Sequence, residues 1–160
     1  MALKITLPDA SVKEYDNPVS PLQVAEDISR RLADAAVAAE VNGNLVDLNS
    51  EINDDASLVI HTFSNPVGKE IYWHSTAHLM AQAVKQLFPE VKVTIGPAIE
   101  QGFYYDFDRA EPFSDDELLL IENRMKELSS QNLPYSRKEL SKQEAMEMFS
   151  NLQEDYKLEL

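Results

Sequence analysis

The order of strand and helix signals predicts an α+β protein of two modules. Residues 1–62 are expected to form a ubiquitin-like β-grasp domain. Residues 63–160 are expected to form a partial α/β domain, with helices packed on a mostly antiparallel sheet. Three observations carry this reading. The first module runs β-β-α-β-β-β, the order of a small sheet crossed by one helix. Asn65-Pro66 then marks a fresh helix start, asparagine as cap and proline at the first helical position. Beyond it, helical stripes alternate with short segments of alternating apolar residues.

Taken in order, residues 3–7 read as a strand, and a second short strand is expected at 12–15 after a turn at Pro8-Asp9. Ser20 can cap a helix whose first position is Pro21. Leu22, Ala25, Ile28 and Leu32 follow at helical spacing. The alanine-rich stretch 34–41 is ambiguous. Asn42-Gly43 is a hairpin signal between 38–41 and 45–48. Asp54-Asp55 precedes a last strand at 57–62.

A boundary is expected at 63–68. The helix opened by Pro66 can run to Phe88, where Pro89 ends it. Residues 91–95 and 103–107 alternate like strands, with Gly96-Pro97 and Gln101-Gly102 punctuating the connection. Ser114-Asp115-Asp116-Glu117 is a capping box, and Leu118, Ile121, Met125 and Leu128 form the stripe of a helix packed on a sheet. Residues 135–140 read as a strand. Ser141 and Glu144 form another capping box before a short helix to about Phe149. Residues 156–160 read as the start of a further strand, which points to a truncated domain.

Composition excludes several functions. No apolar run approaches the ~18 residues of a membrane-spanning helix, so no membrane partner is expected. The start lacks a secretory signal, and no cysteine exists for a disulfide, a thiolate nucleophile or a metal ligand. These features fit a cytoplasmic protein. The net charge is −14. It is shared evenly: four basic and eleven acidic residues in 1–62, ten and seventeen in 63–160, or −7 each. Neither module has the basic footprint of an independent nucleic-acid binder.

His74-Ser75-Thr76-Ala77-His78 holds two of the three histidines, one helical turn apart on one face. Such a pair can orient water, shuttle protons or ligate metal. A zinc-protease helix needs glutamate after its first histidine, and Ser75 stands there. A zinc site needs a third ligand, and nothing in the carboxylate spacing singles one out, while His61 lies in the other module. Spacing alone favours two half-buried histidines bonded to a neighbouring sheet. Gly96 and Gly102 bracket a loop where backbone can approach a ligand closely, and Phe103-Tyr104-Tyr105 can wall a pocket or simply face a core. With four glycines in all and none suitably spaced, no phosphate-binding loop is present.

Read together, His74-Ser75-Thr76-Ala77-His78-Leu79, Ala83-Val84-Lys85-Gln86-Leu87-Phe88-Pro89, Ile95-Gly96-Pro97 and Gly102-Phe103-Tyr104-Tyr105-Asp106 resemble the editing domain of bacterial threonyl-tRNA synthetases. Val41-Asn42-Gly43-Asn44-Leu45-Val46-Asp47-Leu48 resembles the TGS domain that precedes it in that family. The resemblance implies hydrolysis of seryl-tRNA(Thr) made in error. One methyl is worth only ~1–3 kcal/mol of discrimination, so a second sieve is needed. It places catalytic roles on His74, His78 and Lys157, and substrate contacts on Tyr105 and Gly96.

The family's editing site also uses an aspartate and a Cys-x-x-x-His segment that would lie beyond Leu160. Its aminoacylation core, with ATP and zinc, is absent as well. The expected cofactors of this chain are therefore none, and the expectation is an excised N-terminal piece. In the full-length enzyme its partner is the acceptor end of tRNA(Thr), and the enzyme is expected to be a homodimer through domains absent here. Little tRNA affinity is expected of this chain alone. The alternative is a stand-alone TGS-containing binding or regulatory module without catalysis. A reading frame continuing past Leu160 separates the two.

Overall fold

The structure is a computed structural model that describes residues 2–134, 136–152 and 154–158. It divides into two compact units, 1–72 and 73–160, with the boundary falling inside one long helix.

In the first unit, β1 (Leu3–Thr6) and β2 (Val12–Tyr15) pair antiparallel from Leu3↔Tyr15 to Thr6↔Val12. The helix expected after Ser20 forms with a full capping box, because Gln23 reaches back to the Ser20 amide. It is two helices rather than one: α1 (Pro21–Ile28) and α2 (Arg30–Ala35). Ser29 is extended between them, with φ −169°. It closes α1 by donating its amide to the Ala25 carbonyl and opens α2 by accepting from the Leu32 amide. The ambiguous alanines become β3 (Ala36–Val41), which pairs with β4 (Asn44–Val46) on one side and β5 (Ala56–Thr62) on the other. Buried Ala38 and Ala39 are small where α1 crosses the sheet, so packing overrides alanine's helical preference.

Asn42 and Gly43 both take positive φ, 50° and 81°, as a tight hairpin requires. The sheet order is β2-β1-β5-β3-β4, with β1 and β5 parallel. Leu3, Ile5, Val19, Val24, Ala39, Ile52, Ala56 and Leu58 form its core. This is the β-grasp that the element order predicts. His61 on β5 is buried, 3.5 Å from Glu40 Oε2.

The long helix α3 (Pro66–Leu87) starts where Asn65 Oδ1 accepts the Gly68 amide. In the second unit, β6 (Lys92–Val93) pairs antiparallel with β9 (Phe107–Asp108). The pairing continues past the ladder, from the Thr94 amide to the Asp106 carbonyl and from the Asp106 amide to the Ile95 carbonyl. Between them, β7 (Ala98–Ile99) and β8 (Gly102–Phe103) form a tight hairpin, with Gly102 at φ 145°. The expected strand 103–107 is thus split in two.

Helices α4 (Asp115–Ser130) and α5 (Lys142–Asn151) both begin with complete capping boxes. Ile121 and Leu128 of α4 join Ala83, Val84 and Val91 in the core, while Leu118 is half exposed. Among the described residues, two expected strands do not form. Residues 136–140 are irregular; Tyr135 lies outside the described residues. In the segment 156–160, the described part belongs to a short helix, α6 (Asp155–Leu158), closed by the Lys157 amide on the Glu154 carbonyl. Alternation over so few residues does not separate a strand from one helical turn.

Candidate functional site

Helix α3 presents His74 and His78 on one face because they are four residues apart. Their rings meet edge to face with centroids 4.6 Å apart, and the two Nε2 atoms are 3.0 Å apart. At that distance one Nε2 donates and the other accepts, so the pair shares a single bridging proton. Both residues are exposed. The His78 pKa lies below the usual histidine value. Partial withdrawal of its ring from water is the largest cause, followed by the His74 and Lys157 charges.

Alanines flank this pair. Ala77 and Ala81 are buried with Val93 and Tyr105 in one cluster, so β6 and the Tyr105 segment lie against the helix beside the histidines. Tyr105 is nearly buried and stacks on Phe107 with centroids 5.0 Å apart. Burial pushes its hydroxyl pKa up, and the Glu154 charge adds to this. A Cβ built on Gly96 would overlap the Tyr105 ring, so glycine is needed there for packing. Lys157 arrives from α6 and donates its ammonium to the Thr94 carbonyl at 3.0 Å, two residues before Gly96.

The five candidates, His74, His78, Gly96, Tyr105 and Lys157, therefore share one region of the second unit, although they come from segments far apart in sequence. His61, set aside on sequence grounds as a ligand, sits in the first unit. Glu154, Lys85, Asp108 and Tyr156 also hold this region together, and sequence reasoning missed them. Glu154 pairs with Lys85 at 3.1 Å, and Tyr156 donates to Asp108 Oδ2 at 2.8 Å. Each looks like an ordinary surface residue until the tertiary contact is known.

Among the described residues, no group of three or more His, Asp or Glu side chains is arranged to hold a metal ion. No described helix is long and apolar enough to cross a membrane.

Comparison with known proteins adds two findings. The TGS domain model matches residues 3–62. Over nearly its full length the chain is similar to threonine–tRNA ligases. That of Syntrophomonas wolfei subsp. wolfei is 50% identical over 158 residues, 99% of this chain and 25% of that protein. That of Hahella chejuensis is 51% identical over 156 residues, 98% and 24% respectively. That of Chlorobaculum tepidum is 46% identical over 157 residues, with the same shares. The chain thus spans about a quarter of the length of these relatives. Residues 3–62 are a TGS domain, and the chain as a whole is similar to the N-terminal region of the threonine–tRNA ligases.

Proposed function

We propose that this chain works as the N-terminal region of a threonine–tRNA ligase, a TGS domain followed by part of a site that hydrolyses serine wrongly esterified to tRNA(Thr). The observation that carries the reading is the His74–His78 pair, its Nε2 atoms 3.0 Å apart, in the same region as Lys157, whose ammonium sits on the Thr94 carbonyl. A cation near an imidazole pair suits ester hydrolysis.

Hydrolysis of an aminoacyl ester requires a water aimed at the carbonyl carbon and an acceptor for its proton. It also requires stabilisation of the oxyanion and a proton for the departing ribose oxygen. In our reading the histidine pair supplies the acceptor. The lowered His78 pKa favours the neutral ring near pH 7, which is the form that can take a proton. The water oxygen bonds to the carbonyl carbon as its proton passes to the imidazole. The carbon–oxygen bond to ribose then breaks, and the ribose oxygen takes that proton back. Lys157 stabilises the negative charge on the carbonyl oxygen. Tyr105 and Gly96 shape the wall beside the seryl group.

Attachment of threonine with ATP, and the zinc of that reaction, we assign to the rest of the ligase. The residues here do not fit either group: the histidine pair has no third ligand among the described residues, and no glycine loop suits a nucleotide phosphate. The acceptor end of tRNA(Thr) is the proposed partner, dimerisation is assigned to other regions, and the setting is the cytoplasm.

The test uses a full-length ligase carrying this N-terminal sequence. His74→Ala and Lys157→Ala are expected to slow single-turnover deacylation of seryl-tRNA(Thr) by ~10²–10⁴-fold while leaving threonylation intact. Unchanged deacylation in either variant would overturn the reading.

A further inference from the structure

Lys157 comes from a helix of four residues, too short to hold its own direction. Contacts made by its sequence neighbours hold it instead. Three residues earlier, Glu154 Oε1 pairs with Lys85 Nζ at 3.1 Å. The Glu154 side chain is 17% exposed and that of Lys85 34%, so the pair is less screened than one on the open surface. One residue earlier, Tyr156 donates to Asp108 at the end of β9. Lys85 lies on α3, seven residues and two turns after His78, on the same face. The helix that carries the imidazole therefore also carries the anchor of the segment that places the ammonium on the Thr94 carbonyl.

We propose that Lys85 and Glu154 are positioning residues whose ion pair holds Lys157 on the Thr94 carbonyl, in the region of the histidine pair. The catalytic consequence rests on the hydrolytic reading above; the placement does not. The signs of the charges make the proposal decidable. Removing the negative charge of Glu154 acts directly to lower the His78 pKa. Releasing Lys157 acts to raise it, since the ammonium is one cause of its depression. The direction of the observed change therefore identifies which effect dominates.

The experiment follows the His78 ring proton by NMR through a pH titration of this chain, with Glu154→Gln, Lys157→Met and their double variant. Glu154→Gln is expected to raise the His78 midpoint toward that of Lys157→Met. In the Lys157→Met background it is expected to lower the midpoint or leave it unchanged. The charge-swapped pair Lys85→Glu with Glu154→Lys is expected to return it toward the starting value. A midpoint that falls or stays put in Glu154→Gln alone overturns the proposal.

In the full-length ligase, Glu154→Gln is expected to slow seryl-tRNA(Thr) deacylation about 10-fold or more, with tRNA affinity unchanged and the swap restoring the rate. Full speed in Glu154→Gln, with Lys157→Ala slow, overturns the positioning proposal and leaves the hydrolytic reading standing. Full speed in Lys157→Ala removes the hydrolytic reading, and the titration then decides the positioning.

Discussion

Adding one methyl group at Gly96 tests whether Tyr105 is held where the site needs it. A Cβ at this position would occupy the same space as the Tyr105 ring, which is stacked on Phe107. The ring has little room to retreat, because it is nearly buried with Ala77, Ala81 and Val93. Overpacking of this kind costs ~1–3 kcal/mol. The backbone itself accepts alanine, since Gly96 is not among the residues with positive φ. Replacing glycine there contributes ~0.4–1 kcal/mol in the opposite direction by restricting the unfolded chain. The net expectation for Gly96→Ala is a loss of about 1–2 kcal/mol. For a unit of this size, that lowers the melting temperature by roughly 5–15 °C.

The assay is thermal unfolding followed by circular dichroism in a double-mutant cycle with Tyr105→Ala. Removing everything beyond Cβ at position 105 opens the space, so in that background Gly96→Ala is expected to be neutral or to stabilise by ~0.4–1 kcal/mol. This reversal of sign is the diagnostic result. An equal loss in both backgrounds would mean that the methyl meets something other than the ring, and no loss in either would mean that Gly96 and Tyr105 do not touch. Either result would refute the packing argument for glycine at position 96.

Two further expectations concern charge. Hydrogen bonds from Arg109, then from the Ser114 amide, hold the Glu117 carboxyl near pKa 2 against an ordinary 4.5. Its stabilisation is present above about pH 4.5 and is lost as the pH falls toward 2, so acid should lower the melting temperature of the native chain across that window and lower that of Glu117→Gln less. With a net charge of −14, the isolated chain is expected to bind tRNA weakly, and what binding fluorescence anisotropy detects should fall steeply between 50 and 200 mM salt; tight, salt-insensitive binding would contradict this.

The β-grasp was legible because its signals are local. Ser20 before Pro21, the Asn42-Gly43 turn and the alternation in β1 and β5 each act within a few residues. Ser29 was not legible, since the apolar spacing of Ile28 and Leu32 runs straight through it. Its hydroxyl competes for backbone partners, and the chain turns a serine inside a helical stripe into a cap. The segment 156–160 misled for a related reason: Tyr156 and Leu158 alternate, but so short an alternation also fits one helical turn, and the described residues close that turn.

The site divides along the same line. Four-residue spacing made the histidine pair visible, because the helix alone brings His74 and His78 together. Tyr105 stood out only as part of an aromatic cluster and Lys157 only through resemblance, since nothing in their spacing records the long-range contacts with Gly96 and Thr94. Lys85 and Glu154 were invisible for a further reason. A lysine in the last turn of a helix is already explained by the helix dipole, and a glutamate between helices by solvent. A residue with an adequate local explanation attracts no second one, so the tethers of a site are harder to read from sequence than its reactive groups.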